Sequence, residues 1–232
     1  GGLNVTANDT DTAGTAPVSA VAGSAANVGT AVTGDNGGLF TVNADGTVSF
    51  APNGDFDALA AGATTTTTVA VTVRDQSGNT DTADLTVTVT GINDAPTATD
   101  PADQTTAADG RFTYQLPAGA LTDVDTGDTL TYTAALAGGG ALPAWLSFDA
   151  ATRTFTGTPG IGELGTISLQ VTGTDGAAAA AVTTFDLTVT NTAPTVATAP
   201  ADQSATPGDA FSYTLPAGTF ADVDAGDTLT LT

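Results

Sequence analysis

The chain has 232 residues, 25 of them acidic and 3 basic, giving a formal charge of −22. That balance excludes nucleic acid and anionic membranes as partners and leaves cations and neutral surfaces. Cysteine, histidine, methionine and lysine are absent, which removes thiol and imidazole nucleophiles, Schiff-base chemistry, the Ser-His-Asp triad and the usual zinc and copper ligands.

Every acid except Glu163 is Asp, a residue of turns and metal loops rather than of helix faces. Only oxygen ligands remain, and they suit a hard cation such as calcium or magnesium. The apolar fraction of 41% supports a core in each of two domains of ordinary size. Valine, threonine, alanine and glycine dominate, so those cores are expected to come from β-sheets with small side chains. No run of about 18 apolar residues occurs, so no membrane span is expected. The start at Gly1, Gly2, Leu3 and Asn4 has neither a signal-peptide pattern nor an initiating Met, so the chain reads as an internal piece of something longer.

In chain order, the turn pairs Asn36–Gly37, Asp45–Gly46 and Asn53–Gly54 come first. The second pair predicts a hairpin joining a strand around Phe40 and Val42 to one around Val48 and Phe50. Thr64 to Thr68 lead into the alternating set Val69, Val71, Val73, and after the turn at Gly78–Asn79 a second set follows at Leu85, Val87, Val89. These are half-buried strands. Asn93, Asp94, Ala95 and Pro96 read as a linker. The same pattern returns as Ile167, Leu169, Val171, then Phe185, Leu187, Val189, and a second linker at Asn191, Thr192, Ala193, Pro194. The alanine run 177–181 reads as a loop or strand edge, and no stretch carries helical periodicity. The expected class is all-β, with about seven strands per unit, as in sandwiches.

Asp123, Val124, Asp125, Thr126, Gly127, Asp128, Thr129, Leu130, Thr131 recur as Asp222, Val223, Asp224, Ala225, Gly226, Asp227, Thr228, Leu229, Thr230. A repeat of roughly 100 residues is a whole sandwich domain. The expected domains are 1–93, 97–192 and a third that begins near 195 and holds two strands, too few to bury a core by itself. Crowded carboxylates repel unless neutralised, and an ion taking six to eight oxygens relieves that repulsion. A solvated turn is the plainer account of such a loop. Acid/base catalysis fits poorly, because glycoside-cleaving carboxylates work in clefts with aromatic platforms, whereas aromatics here are 6%. No enzyme is expected. Trp145, between Leu142 and Phe148, reads as core filler or hairpin anchor.

Gly38 to Thr47 and the closing Thr88 to Pro96 resemble a VCBS-type repeat of giant repetitive adhesins. The second domain is similar to the dystroglycan-type cadherin-like (CADG) family. The matching residues are Asp123, Asp125 and Asp128 before Leu130 and Tyr132, then Leu142 to Asp149, Phe155 to Pro159, and Asp175. The resemblance implies an extracellular, cell-surface or secreted rod of cadherin-like sandwiches, with calcium (Ca2+) at the junctions, in adhesion and biofilm formation. It further implies a site made of Asn93 and Asp94 from the linker, Asp123 and Asp125 from the loop, and Asp175, with Asp128 beside them. Asn8, Asp9, Asp11 and Asp75 correspond to an N-terminal site. Asn191, Asp222, Asp224 and Asp227 correspond to a third, expected to be weaker because Thr192 stands where an Asp is expected. Neighbouring repeats of the same polypeptide are the implied partners. A surface polysaccharide is the partner in the competing reading, a carbohydrate-binding module. A further reading is a filament subunit assembled by strand complementation. No glycine-rich calcium-roll nonapeptide is present.

Overall fold

Alternating β-branched and polar residues, broken by Gly, Asn and Asp turns, build strands whose inward faces meet over two cores. The computed structural model describes Leu3–Asn4 and residues 16–231. They divide into two compact units: residues up to Asp94 with Asp123–Thr129, and Ala95–Thr122 with Leu130 onward.

The first unit contains β1 (Leu3–Asn4), β2 (Val18–Val21), β3 (Ala31–Thr33), β4 (Leu39–Val42), β5 (Thr47–Ala51), β6 (Thr64–Arg74) and β7 (Thr80–Thr90). They form two sheets, ordered β1-β5-β4-β3 and β2-β6-β7. The β4–β5 hairpin pairs Phe40 with Phe50 and Val42 with Val48, as the Asp45–Gly46 turn predicts. The register pairs Val69 with Leu85 and Thr67 with Val87. Val18, Val21, Phe40, Val42, Val69, Val71 and Leu85 close the core between the two sheets. In the threonine run, Thr67 is wholly buried and donates its hydroxyl to the Gly37 carbonyl at 2.7 Å.

The second unit contains β8 (Thr97–Ala98), β9 (Gln104–Ala107), β10 (Phe112–Gln115), β11 (Leu121–Thr122), β12 (Thr131–Leu136), β13 (Leu146–Asp149), β14 (Thr154–Gly157), β15 (Gly165–Thr174), β16 (Ala180–Thr190), β17 (Thr195–Val196) and β18 (Phe220–Ala221). One sheet runs β10-β14-β13 and another β12-β15-β16-β9, with β9 parallel to β16. Phe112, Leu116, Leu121, Leu146, Phe155, Leu169, Val171, Phe185 and Leu187 fill the space between them. Trp145 packs half-buried against this cluster. Two short antiparallel pairs, β8 with β11 and β17 with β18, complete the unit. The alanine run 177–181 spans the β15–β16 turn and enters β16. Two three-residue 3-10 turns are the helical segments among the described residues. No helix among them is long and apolar enough to cross a membrane.

Candidate metal centre

The loop Asp123–Thr129 leaves β11 and folds onto itself through its own carboxylates. The Asp125 N–H donates to Asp123 Oδ1 at 3.0 Å, and the Asp128 N–H donates to the Asp125 carbonyl at 3.2 Å. Gly127, at φ 94°, takes the left-handed turn that brings Asp128 back, a conformation that costs glycine little. One carboxylate oxygen from each of Asp123, Asp125 and Asp128 lies within 4.8 Å of the others. Two outside bonds fix the loop within the first unit. The Asp94 N–H donates to Asp125 Oδ2 at 2.9 Å, and the Thr126 N–H donates to the Ala58 carbonyl at 3.0 Å. In the linker, the Asn93 amide donates to the Asp94 carbonyl at 2.8 Å.

The burial is what separates this loop from an ordinary turn. Asp125 is 4% exposed, and its Oδ1, like Asp123 Oδ2, is buried without a hydrogen-bond partner. Ionised oxygens removed from water and left unpaired cost several kcal/mol. Three like charges about 5 Å apart add on the order of 3 kcal/mol per pair at an effective dielectric near 20. A hard divalent cation takes carboxylate oxygens as its ligands, so the donor set fits one.

The second copy of the loop, in the other unit, repeats these bonds. The Asp224 N–H donates to Asp222 Oδ1 at 2.9 Å, the Asp227 N–H to the Asp224 carbonyl at 3.1 Å, and the Thr192 N–H to Asp224 Oδ2 at 2.7 Å. Gly226 has φ 91°. Asp224 is 3% exposed, and Asp224 Oδ1 and Asp222 Oδ2 are buried without partners. Asp227 is exposed. β16 ends at Thr190, and Asn191 follows it, just before Thr192. The Ala225 N–H, at the position of Thr126, donates to Asp109 Oδ2.

Asp75 and Asp175 cap turns. The Asp75 carboxylate accepts from the Asn79 N–H and side-chain amide, each at 2.7 Å. The Asn79 side-chain amide, opposed by desolvation and aided by backbone N–H donors of the turn, holds the Asp75 carboxyl below the usual carboxylate range. Asp175, buried, accepts from the N–H groups of Ala177 and Ala179 at 2.9 and 2.8 Å. Asn8, Asp9 and Asp11 lie outside the described residues. Sequence reasoning passed over Asp109 and the Ala58 carbonyl. Asp109–Gly110 reads as one more turn pair, and a backbone carbonyl has no sequence signature.

Two facing β-sheets per core, in consecutive units, define tandem immunoglobulin-like sandwiches. The chain belongs to the family described as "Putative Ig domain", whose model matches residues 95–190 and 193–232, and residues 1–88 match the model described as "Bacterial Ig domain". No curated protein matches the sequence. Among solved structures, the chain is similar to human CDH23 EC21-23, with 21% identity, 75% of this chain and 57% of that chain covered, and a TM-score of 0.49. It is similar to the human desmocollin-1 ectodomain, with 14% identity, coverage of 68% and 26%, and a TM-score of 0.42. It is also similar to the endo-fucoidan hydrolase MfFcnA4 from glycoside hydrolase family 107, with 21% identity, coverage of 71% and 23%, and a TM-score of 0.35. The chain spans less than two thirds of each of these structures.

Proposed function

We propose that this chain is an extender segment of a large bacterial cell-surface or secreted adhesin, built of VCBS-type and CADG-type modules and stiffened by calcium at the Asp loops. The observation that carries the reading is the pair of buried, unpartnered carboxylate oxygens on Asp123 and Asp125, repeated on Asp222 and Asp224. A bound calcium ion supplies two positive charges and a coordination shell of six to eight oxygens, which neutralises such a cluster. Asp123, Asp125 and Asp128 are the ligands this chain offers at the first loop, with Asp94 and Asn93 from the linker as further candidates. Asp222, Asp224 and Asp227 are the ligands at the second. Asp125 matters twice, because its Oδ2 already holds the linker N–H while its Oδ1 faces no protein donor.

A linker tied to a neutralised loop loses the freedom that an unbound Asp cluster, driven apart by its own charge, retains. Fixing each linker turns a flexible string of domains into an extended arm, whose partners are the neighbouring repeats of the same polypeptide. No catalytic step is assigned to any residue. Calorimetric titration of the full chain with calcium tests the proposal: saturable uptake that is reduced at least tenfold in affinity by Asp125→Asn is expected. Absence of uptake, or uptake indifferent to that substitution, contradicts it. Calcium-independent binding on a glycan array favours the carbohydrate-binding reading instead.

A further inference from the structure

Two asparagines of the first unit, Asn36 and Asn53, are each followed by glycine. With no Cβ on the following residue, the backbone nitrogen has an unhindered approach to the asparagine side chain. Both asparagines are exposed, so access of water does not distinguish them. Hydrogen bonding does. At the first step, Asn36 Nδ2 donates to the Thr66 carbonyl at 2.9 Å, and the Gly37 N–H donates to the Gly34 carbonyl at 3.2 Å. The neighbouring Asp35 is tied to the same strand, its N–H donating to the Thr68 carbonyl at 3.1 Å and its Oδ1 accepting the Thr68 N–H at 2.6 Å. At the second step, Asn53 and Gly54 stand at the centre of a turn closed by the Asp55 N–H on the Pro52 carbonyl at 3.2 Å. Among the described residues no hydrogen bond engages the Asn53 amide or the Gly54 N–H. Asn53 has φ 58° and Gly54 φ 78°, the left-handed region that an asparagine tolerates and a glycine enters freely.

We infer that Asn53 is a site of spontaneous deamidation in the folded chain, and that the bonds around Asn36 protect the other Asn–Gly step. The Gly54 nitrogen, having given its proton to solvent base, forms a bond to Asn53 Cγ. The bond from Cγ to the side-chain nitrogen breaks, and that nitrogen leaves as ammonia with a proton from solvent. The product is a five-membered succinimide. Water then opens the ring at one or other carbonyl, leaving aspartate or isoaspartate, so the net change is one water consumed and one ammonia released. No oxidant, cofactor or enzyme enters the balance. At Asn36 the same attack first requires the amide to leave the Thr66 carbonyl and the Gly37 nitrogen to leave the Gly34 carbonyl, a local opening that the fold opposes. At Asn53 nothing has to break. The new carboxylate stands two residues before Asp55, whose Oδ2 accepts the Gly38 N–H at 2.7 Å, and adds one negative charge to a chain already at −22.

Peptide mapping by mass spectrometry after incubation of the full chain in mildly alkaline buffer tests this, once folded and once in concentrated urea. In the folded chain, conversion at Asn53 is expected to run about tenfold or more ahead of Asn36, the order that two hydrogen bonds impose when they must open first. In urea the two steps are expected to convert at similar rates, since both have glycine next. Asn53→Gly, which suits a positive φ, is expected to abolish the main acidic species that ion-exchange chromatography separates from the aged wild type. Equal conversion of the two asparagines in the folded chain, or Asn36 ahead, overturns the inference. So does a folded chain in which neither converts while urea converts both. A lead of Asn53 that persists unchanged in urea overturns the protective role of the fold.

Discussion

At the scale of single residues, the chain uses Asp in two different ways. Asp45, Asp75, Asp100 and Asp149 accept hydrogen bonds from nearby hydroxyl, amide and N–H groups, and these donors lower their carboxyl pKa values. For Asp100 the leading donor is the Thr184 N–H, followed by the Thr183 hydroxyl. A folded-state pKa below the unfolded one contributes stability that is present above the unfolded value and lost as pH falls through the folded value. The chain is therefore expected to lose resistance to urea below about pH 4. Asp100→Asn should unfold at lower urea at neutral pH and show a shallower decline on acidification, both read by circular dichroism. Asp123, Asp125, Asp222 and Asp224 differ in kind, because each keeps a buried oxygen that no protein group satisfies. The sequence repeat is enough to find these four. Asp100 carries no such mark: its partners Thr183 and Thr184 lie more than eighty residues away, and a long-range acceptor leaves no local spacing to read.

Secondary-structure elements follow from alternation and turn chemistry, and their depth in the core does not. The hairpin around Asp45–Gly46 follows from its turn pair, and the strands that hold Leu169 and Phe185 follow from the period-two pattern. The parallel pairing of β9 with β16 was not legible. Gln104, Thr105, Thr106 and Ala107 are too polar and too short to stand out, and they form a strand because β16 offers an open edge at Leu187 to Thr190. Within β6, five consecutive threonines look alike in sequence, yet Thr67 alone is wholly buried. Thr67→Val should cost about 1–3 kcal/mol in urea unfolding, because the Gly37 carbonyl loses its donor. Phe155, fully buried between Phe148 and Phe185 with ring centroids 4.6 and 5.6 Å away, should cost about 3–5 kcal/mol as Phe155→Ala through the cavity left behind. A loss near zero in that variant would mean that the β13–β14 hairpin is not packed as described.

Across the whole molecule, the two Asp loops make the same bonds to their linkers, Asp94 to Asp125 and Thr192 to Asp224. A period near 100 residues is visible in the sequence. What it conceals is that one loop contact differs between the copies, the Thr126 N–H meeting the Ala58 carbonyl and the Ala225 N–H the carboxylate of Asp109, more than a hundred residues away. If ions sit in both loops, calcium should raise the thermal unfolding midpoint with an amount that grows with its concentration, as ligand linkage requires. Magnesium, which demands a tighter octahedron and keeps its own waters, should raise it less at equal concentration. Excess sodium chloride should not substitute for calcium. The most direct test is small-angle X-ray scattering of the full chain in calcium and in chelator. The account predicts a longer maximum dimension and a narrower spread of conformations with calcium, reversed by chelation and reduced by Asp125→Asn. Scattering curves that superimpose with and without the ion would contradict it.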